Sequence, residues 1–131
     1  MKQLKNTLLM VMVIMLSSCN SCKKGCTDST ASNYDSNAHK DDGSCIYKGS
    51  ILFWEGTPAC GYLTVTLVGQ SSSYITNYYN TPPQNCVNLC GGYFNVPVGS
   101  YTYQVTSSNG CNIPGGTVTI TKNSCSFQQL N

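Results

Sequence analysis

Apolar and polar residues alternate through most of the second half of the chain. Leu63, Val65 and Leu67 alternate with threonines, and the same period of two returns three times nearer the C-terminus. This period places every second side chain on one face of a β-strand, and no stretch keeps a helical period. Glycine and proline turns separate the strands, so the pattern predicts an all-β fold, a small antiparallel β-sandwich over residues 49–131. About seven candidate strands lie within residues 50–55, 63–67, 73–79, 94–96, 101–106, 117–121 and 127–130.

The N-terminal pattern is an unbroken apolar run. Lys2 and Lys5 precede nine apolar residues over positions 8–16. A nine-residue helix is about 13 Å long at 1.5 Å per residue, which is too short for a hydrocarbon core of about 30 Å. The run therefore predicts a signal peptide over residues 1–18, and not a membrane span.

The signal peptide ends in Leu16-Ser17-Ser18-Cys19, which resembles the lipobox of bacterial lipoproteins at all four positions. The resemblance implies attachment of diacylglycerol to the Cys19 sulfur, cleavage before Cys19 and acylation of the new amino terminus. The alternative is an ordinary secretory signal cleaved near Ser18, with Cys19 in a disulfide. Residues 19–25 are predicted to form the lipidated tether. Asn20 follows the cysteine, and by analogy with the lipoprotein sorting rule this favours the outer membrane, on either its periplasmic or its outer surface.

Charged residues make up only 9% of the chain. After removal of residues 1–18, five lysines oppose five acids, so the mature chain is nearly neutral and membrane attachment relies on the acyl chains. The chain has no arginine and therefore no bidentate phosphate clamp, so nucleic-acid binding is not expected. The sandwich has Glu55 as its one acid, which predicts a non-enzymatic protein; the alternative is a small hydrolase with a polar pocket around Glu55.

The cysteine pattern indicates disulfides. With Cys19 lipidated, eight of the nine cysteines remain, an even number that is typical of a disulfide framework in an exported chain. Their spacing fits neither zinc knuckles nor the two-residue spacing of redox motifs. We expect four bridges, with Cys22 joined to the sandwich, whose own cysteines are odd in number. The eight are Cys22, Cys26, Cys45, Cys60, Cys86, Cys90, Cys111 and Cys125.

Residues 26–47 form an acidic segment bracketed by cysteines. From Gly25 to Tyr47 the sequence resembles a short repeat of exported bacterial proteins, written GCTDxxAxNYDxxAxxDDGSCxY. The resemblance implies a bridge between Cys26 and Cys45 and a module that stands beside other extracellular modules without catalysis. Its acidic spacing loosely resembles the calcium-binding thrombospondin type 3 repeats, but their DxDxDG core is absent.

The same segment concentrates oxygen ligands, which supports two interpretations. Clustered carboxylates and amides suit Ca²⁺, although no EF-hand pattern is present. Asp and Asn also cap backbone amides in tight turns, and solvated carboxylates repel each other weakly at physiological salt. We favour a rigid spacer made of turns that needs no cofactor, and keep calcium as the alternative. The candidate ligands are Asp28, Asn33, Asp35, Asn37, Asp41 and Asp42.

Two further features bear on the sandwich. Residues 92–105 are similar to the Pro-Gly signature of carboxypeptidase-regulatory-like and prealbumin-type sandwiches, which implies a turn between two strands and an inward Tyr101. Tyr74, Tyr78 and Tyr79 are candidates for an aromatic platform that binds a sugar or a protein, or alternatively for core filling. The sequence thus predicts a lipid-anchored envelope protein with a non-catalytic interaction or structural sandwich, and as the alternative a glycan- or peptide-binding sandwich.

Overall fold

The computed structural model describes residues 22–87 and 90–131. The predicted signal peptide and the lipidation site Cys19 lie outside the described residues. Within these ranges, no helix has the length and apolar character needed to cross a membrane. The chain divides into two compact units, with the boundary between Ile46 and Tyr47.

The first unit is held by turns and by one disulfide. Strands β1 (Lys24–Gly25) and β2 (Lys40–Asp41) pair in parallel. Cys26 and Ala31 are the buried apolar side chains among residues 22–46, so this unit has almost no core. The Cys26–Cys45 bridge closes a loop with a sequence separation of 19, which contributes about 3 kcal/mol by the chain-entropy estimate.

The second unit is a β-sandwich, which confirms the predicted fold class. Within residues 47–87 and 90–131, seven strands form a three-stranded sheet of order β6-β3-β9 and a four-stranded sheet of order β5-β4-β7-β8. Their bounds are β3 (Lys48–Glu55), β4 (Leu63–Leu67), β5 (Ser72–Ile75), β6 (Tyr93–Pro97), β7 (Gly99–Ser107), β8 (Gly116–Ile120) and β9 (Cys125–Leu130).

One strand pair departs from the antiparallel prediction. Strand β9 runs parallel to β3, with Ser50 opposite Cys125 and Glu55 opposite Leu130. The turn after β8 explains this direction, because the amide of Asn123 donates to the carbonyl of Lys48 at 2.9 Å. Strand β9 therefore starts beside the start of β3 and follows it.

The inner faces of both sheets form one core. In β4 the inward residues Leu63, Val65 and Leu67 are fully buried, while the intervening threonines are only half-buried. Phe53 of β3 contacts the rings of Phe94 at 5.7 Å and Tyr103 at 4.9 Å between centroids. These ring contacts join β3, β6 and β7 across the sandwich.

Strand β3 is buried on both faces. Leu52 and Trp54 point away from the core that holds Phe53, yet they are 0% and 7% exposed. Trp54 packs edge-on against Tyr79, with 6.5 Å between ring centroids. This double burial explains why residues 51–54 are a continuous apolar run rather than an alternating one.

Two disulfides hold the sandwich, Cys60–Cys111 and Cys86–Cys125. The prediction of four bridges is not met in the part of the chain described here, where Cys22 and Cys90 are free. The reason is the count in each unit. Residues 22–46 carry three cysteines and residues 47–131 carry five, so pairing within each unit leaves one cysteine over in each.

Candidate functional site

Glu55 is a buried carboxylate at the end of the central strand β3. It is 6% exposed and is the one acid in residues 47–131. Its backbone is fixed from two sides, because it lies opposite Leu130 in the β3–β9 register and its carbonyl accepts the amide of Tyr79 at 3.0 Å. The carboxyl group is therefore held where the apolar core ends.

The charge of Glu55 has no compensating partner in the structure. Among the described residues, its carboxylate makes no hydrogen bond or ion pair. The two lysines of this unit lie at the other end of β3. Lys48 begins the strand, about 23 Å away at 3.3 Å per residue, and the Lys122 ammonium lies 3.8 Å from the centre of the Tyr47 ring. Burial accordingly raises the pKa of Glu55.

Two surface cavities meet at Glu55. The first, here called the tyrosine cavity, has a volume of about 130 Å³ and is lined by Glu55, Pro58, Gly61, Tyr62, Thr76, Asn77 and Tyr78. The second, here called the Gln129 cavity, measures about 210 Å³ and includes Thr57, Ile113 and Gln129 in its lining. Tyr62 is 66% exposed and Tyr78 37% exposed, so their rings border the opening of the tyrosine cavity.

A short turn positions the Tyr62 side of this cavity. Residues Pro58–Cys60 form a single 3-10 turn. Two contacts hold it in place: the Cys60–Cys111 disulfide, and a hydrogen bond of 2.6 Å that the Ser107 hydroxyl donates to the Cys60 carbonyl. Gly61 follows with φ of +68°, and a Cβ there would overlap the Ser108 hydroxyl. Glycine is thus required for the chain to pass β7 and present Tyr62.

The Tyr78 side is set by the segment after β5. The amide of Tyr78 donates to the Asn77 side-chain oxygen at 2.9 Å, and the next residue, Tyr79, is tied to Glu55 through the backbone and to Trp54 through its ring. These contacts bring residues 76–78 beside the turn at residues 58–62. The cavity is therefore built from two segments that are well separated in sequence.

The three tyrosines predicted as a platform have different surroundings. Tyr74 is 65% exposed and faces outward from β5, where it lies opposite Thr64. Tyr78 lines the tyrosine cavity, whereas Tyr79 is half-buried against Trp54. The alternation of β5 sends Ile75 inward and Tyr74 outward, so the structure pairs Tyr78 with Tyr62 in place of the predicted trio. Tyr62 does not lie in an alternating strand pattern, so nothing in the sequence indicates it as a site residue.

The acidic segment uses its four aspartates in one common way. Each accepts a hydrogen bond from the backbone amide two residues further on, at 2.9 to 3.0 Å. This is the Asx-turn geometry that the turn interpretation predicts. The acceptors are Asp28, Asp35, Asp41 and Asp42, and the donors are the amides of Thr30, Asn37, Gly43 and Ser44.

Hydrogen bonds to charged and polar groups lower two carboxyl pKa values in this segment. The Lys23 ammonium, 2.6 Å away, holds the pKa of Asp35 below its ordinary value, and the amide of Asn37 adds to the effect. The side chain and the backbone amide of Ser44 lower the pKa of Asp42. The charged forms are therefore the ones that hold these turns together.

The predicted amide ligands have separate environments. Asn33 closes the segment, because its side chain accepts the Ile46 amide and donates to the Ser44 carbonyl, both at 2.7 Å. Asn37 donates its backbone amide to Asp35. Within residues 22–87 and 90–131, no group of three or more His, Cys, Asp or Glu side chains is placed to hold a metal ion.

The Glu55 site combines charged, polar and aromatic groups. Its tyrosine cavity offers a buried carboxylate, one threonine, one asparagine and two tyrosine rings. Apart from Glu55, the described lining of both cavities contains no histidine and no acidic side chain. The chain matches no family model, no curated protein and no solved structure.

Proposed function

We propose that this protein is anchored by lipid to the bacterial outer membrane and presents a β-sandwich that serves as a non-catalytic interaction or structural module in the cell envelope. The main support for the lipid anchor is the lipobox Leu16–Cys19. Its leucine ends a short apolar run, and two small residues separate that leucine from the cysteine. Disulfides in both units agree with an oxidising compartment.

The acidic segment serves in this proposal as a rigid spacer between the tether and the sandwich. Four Asx turns, the Asn33 clamp and the Cys26–Cys45 bridge support that role, since they order a segment with almost no core. In this proposal these contacts order the segment without calcium. Calorimetric titration with Ca²⁺ tests this point, and binding that is lost in Asp41→Ala would contradict the spacer role without metal.

Fractionation of cells that express the full chain tests the anchoring. The wild-type protein is expected in the membrane fraction and to incorporate labelled palmitate. Cys19→Ala is expected to remain unprocessed and unlabelled. Cys22→Ala is the matched control, because it removes the neighbouring cysteine and should be processed as the wild type is. Equal labelling of Cys19→Ala and wild type would contradict the proposal.

A glycan- or peptide-binding role is the second candidate, and the Glu55 site favours it. Its tyrosine cavity combines aromatic side chains with a few polar groups, as ligand pockets do, and its volume of about 130 Å³ suits one residue or side chain of such a ligand. Catalysis has less support, because the described lining of both cavities holds no histidine and no acidic side chain beside Glu55.

A further inference from the structure

We propose that the tyrosine cavity binds an alkylammonium group, the lysine side chain of a partner polypeptide, with its positive charge against Glu55. This inference rests on the binding role proposed above and names the ligand class of that site. It starts from a carboxylate that lines a surface cavity and has no protein charge partner among the described residues. Glu55 is more than nine-tenths buried, lines the cavity and, among described residues, has no hydrogen-bond or ion-pair partner.

Charge complementarity calls for a cation from outside the unit. Glu55 lies in a largely buried residue environment, and an opposite charge beside a carboxylate that is partly shielded from water stabilises its charged form. Residues 47–131 contain two cations, Lys48 and Lys122, and both lie at the far end of β3. A bound ammonium would supply the missing charge together with three hydrogen-bond donors.

The shape and lining of the cavity favour an organic cation over a metal ion. Calcium takes six to eight oxygen ligands, whereas this cavity offers one carboxylate, with Thr76 and Asn77 as its other polar side chains apart from the tyrosine hydroxyls. The volume of about 130 Å³ is roughly ten times what a single water requires. The site therefore has room for a group with a carbon stem.

The apolar surfaces beside Glu55 match the stem of lysine. Pro58, Tyr62 and Tyr78 line the cavity, and the methylene groups of a lysine stem pack favourably along apolar surfaces while the ammonium group reaches a polar environment. Aromatic faces also attract cations within about 6 Å of the ring centre. Lysine carries a compact point charge on a flexible stem, whereas the guanidinium of arginine is a broad planar fork. The smaller ammonium fits more readily into a cavity of about 130 Å³ that Glu55 lines.

The test is a calorimetric titration of the full chain in detergent with Nα-acetyl-lysine N-methylamide. Saturable binding with a millimolar dissociation constant is expected, with amide NMR shifts concentrated at Gly61, Tyr62 and Asn77. The same probe acetylated on its side-chain nitrogen keeps the stem and loses the charge, so it should not saturate. Equal binding of the two probes would overturn the inference.

Variants separate the charge from the fold. Glu55→Gln keeps the side-chain size, removes the charge and should weaken binding at least about tenfold. Tyr62→Ala should weaken it severalfold, whereas Tyr74→Ala, which removes an equally exposed tyrosine outside the cavity lining, should leave it unchanged. Unchanged affinity in Glu55→Gln, with wild-type NMR spectra elsewhere, would overturn the proposal.

A parallel titration with glucosamine distinguishes the second source of an ammonium group. Saturation by glucosamine alone would overturn the lysine assignment and leave the binding role standing. Failure of every probe to saturate would overturn this inference, while lipid anchoring through Cys19 would still be decided by the palmitate labelling.

Discussion

The Cys60–Cys111 bridge is expected to be a main source of stability for the sandwich and for its Glu55 site. We consider the double variant Cys60→Ala with Cys111→Ala. The bridge spans a sequence separation of 51, for which the chain-entropy estimate gives about 4 kcal/mol. Small domains have total stabilities of about 5–15 kcal/mol, so this loss is a large share of the total.

Thermal unfolding followed by Trp54 fluorescence measures the effect. Trp54 is the single tryptophan and lies buried in the sandwich, so the signal reports this unit. A loss of about 4 kcal/mol corresponds to a decrease in the melting temperature on the order of 15–30 °C for a unit of this size. We also expect looser packing at Tyr62, because the bridge holds the turn before it.

The control is Cys26→Ala with Cys45→Ala, which removes a bridge from the first unit. It should leave the Trp54 transition in place, because Trp54 reports unfolding of the second unit. A decrease below about 1 kcal/mol for the Cys60–Cys111 variant, with normal folding, would refute the reasoning, since that bridge would then restrict the unfolded chain very little.

Three other perturbations have defined outcomes. Glu55→Gln should raise the melting temperature at neutral pH, because burial raises the pKa of Glu55 in the folded protein and the wild type therefore loses stability as pH rises through that pKa. Identical profiles of melting temperature against pH for the two proteins would contradict this. The Asx turn of Asp42 should be lost as pH falls through its lowered pKa, which the NMR shift of the Ser44 amide reports; a flat shift down to about pH 2 would refute it. Gly91→Ala should lower the free energy of unfolding by several kcal/mol, because its Cβ would overlap the backbone carbonyl of Tyr74. Gly69→Ala also has a positive φ but has open space around it, so it should lower the free energy of unfolding by only about 1 kcal/mol in chemical denaturation. Equal losses for the two variants would contradict the steric argument.

The strands of the sandwich are predictable because burial acts on every second residue. The inward positions of β4 must be apolar, and the sequence shows this directly as Leu63, Val65 and Leu67 at every second position. The direction of β9 is not predictable in this way. It depends on the docking of Asn123 at Lys48, a contact between residues that no local pattern connects.

The turns of the acidic segment can be predicted from the sequence, whereas the Glu55 site can be predicted only in part. An Asx turn needs an aspartate and an amide two residues away, so local sequence is enough. The tyrosine cavity needs Tyr62 and Tyr78 on neighbouring loops, and their proximity comes from tertiary packing. The one available signal was Glu55 itself, a single acid that ends a buried apolar strand.

Intact-mass measurement of the protein extracted from membranes tests lipid anchoring most directly. The chain is expressed in full in a bacterium that processes lipoproteins and is extracted with detergent. The expected mass is that of residues 19–131 with three disulfides and with Cys22 and Cys90 as free thiols, plus a diacylglyceryl group and an amide-linked acyl chain on Cys19. An unmodified mature N-terminus, or a chain that still carries residues 1–18, would contradict the account.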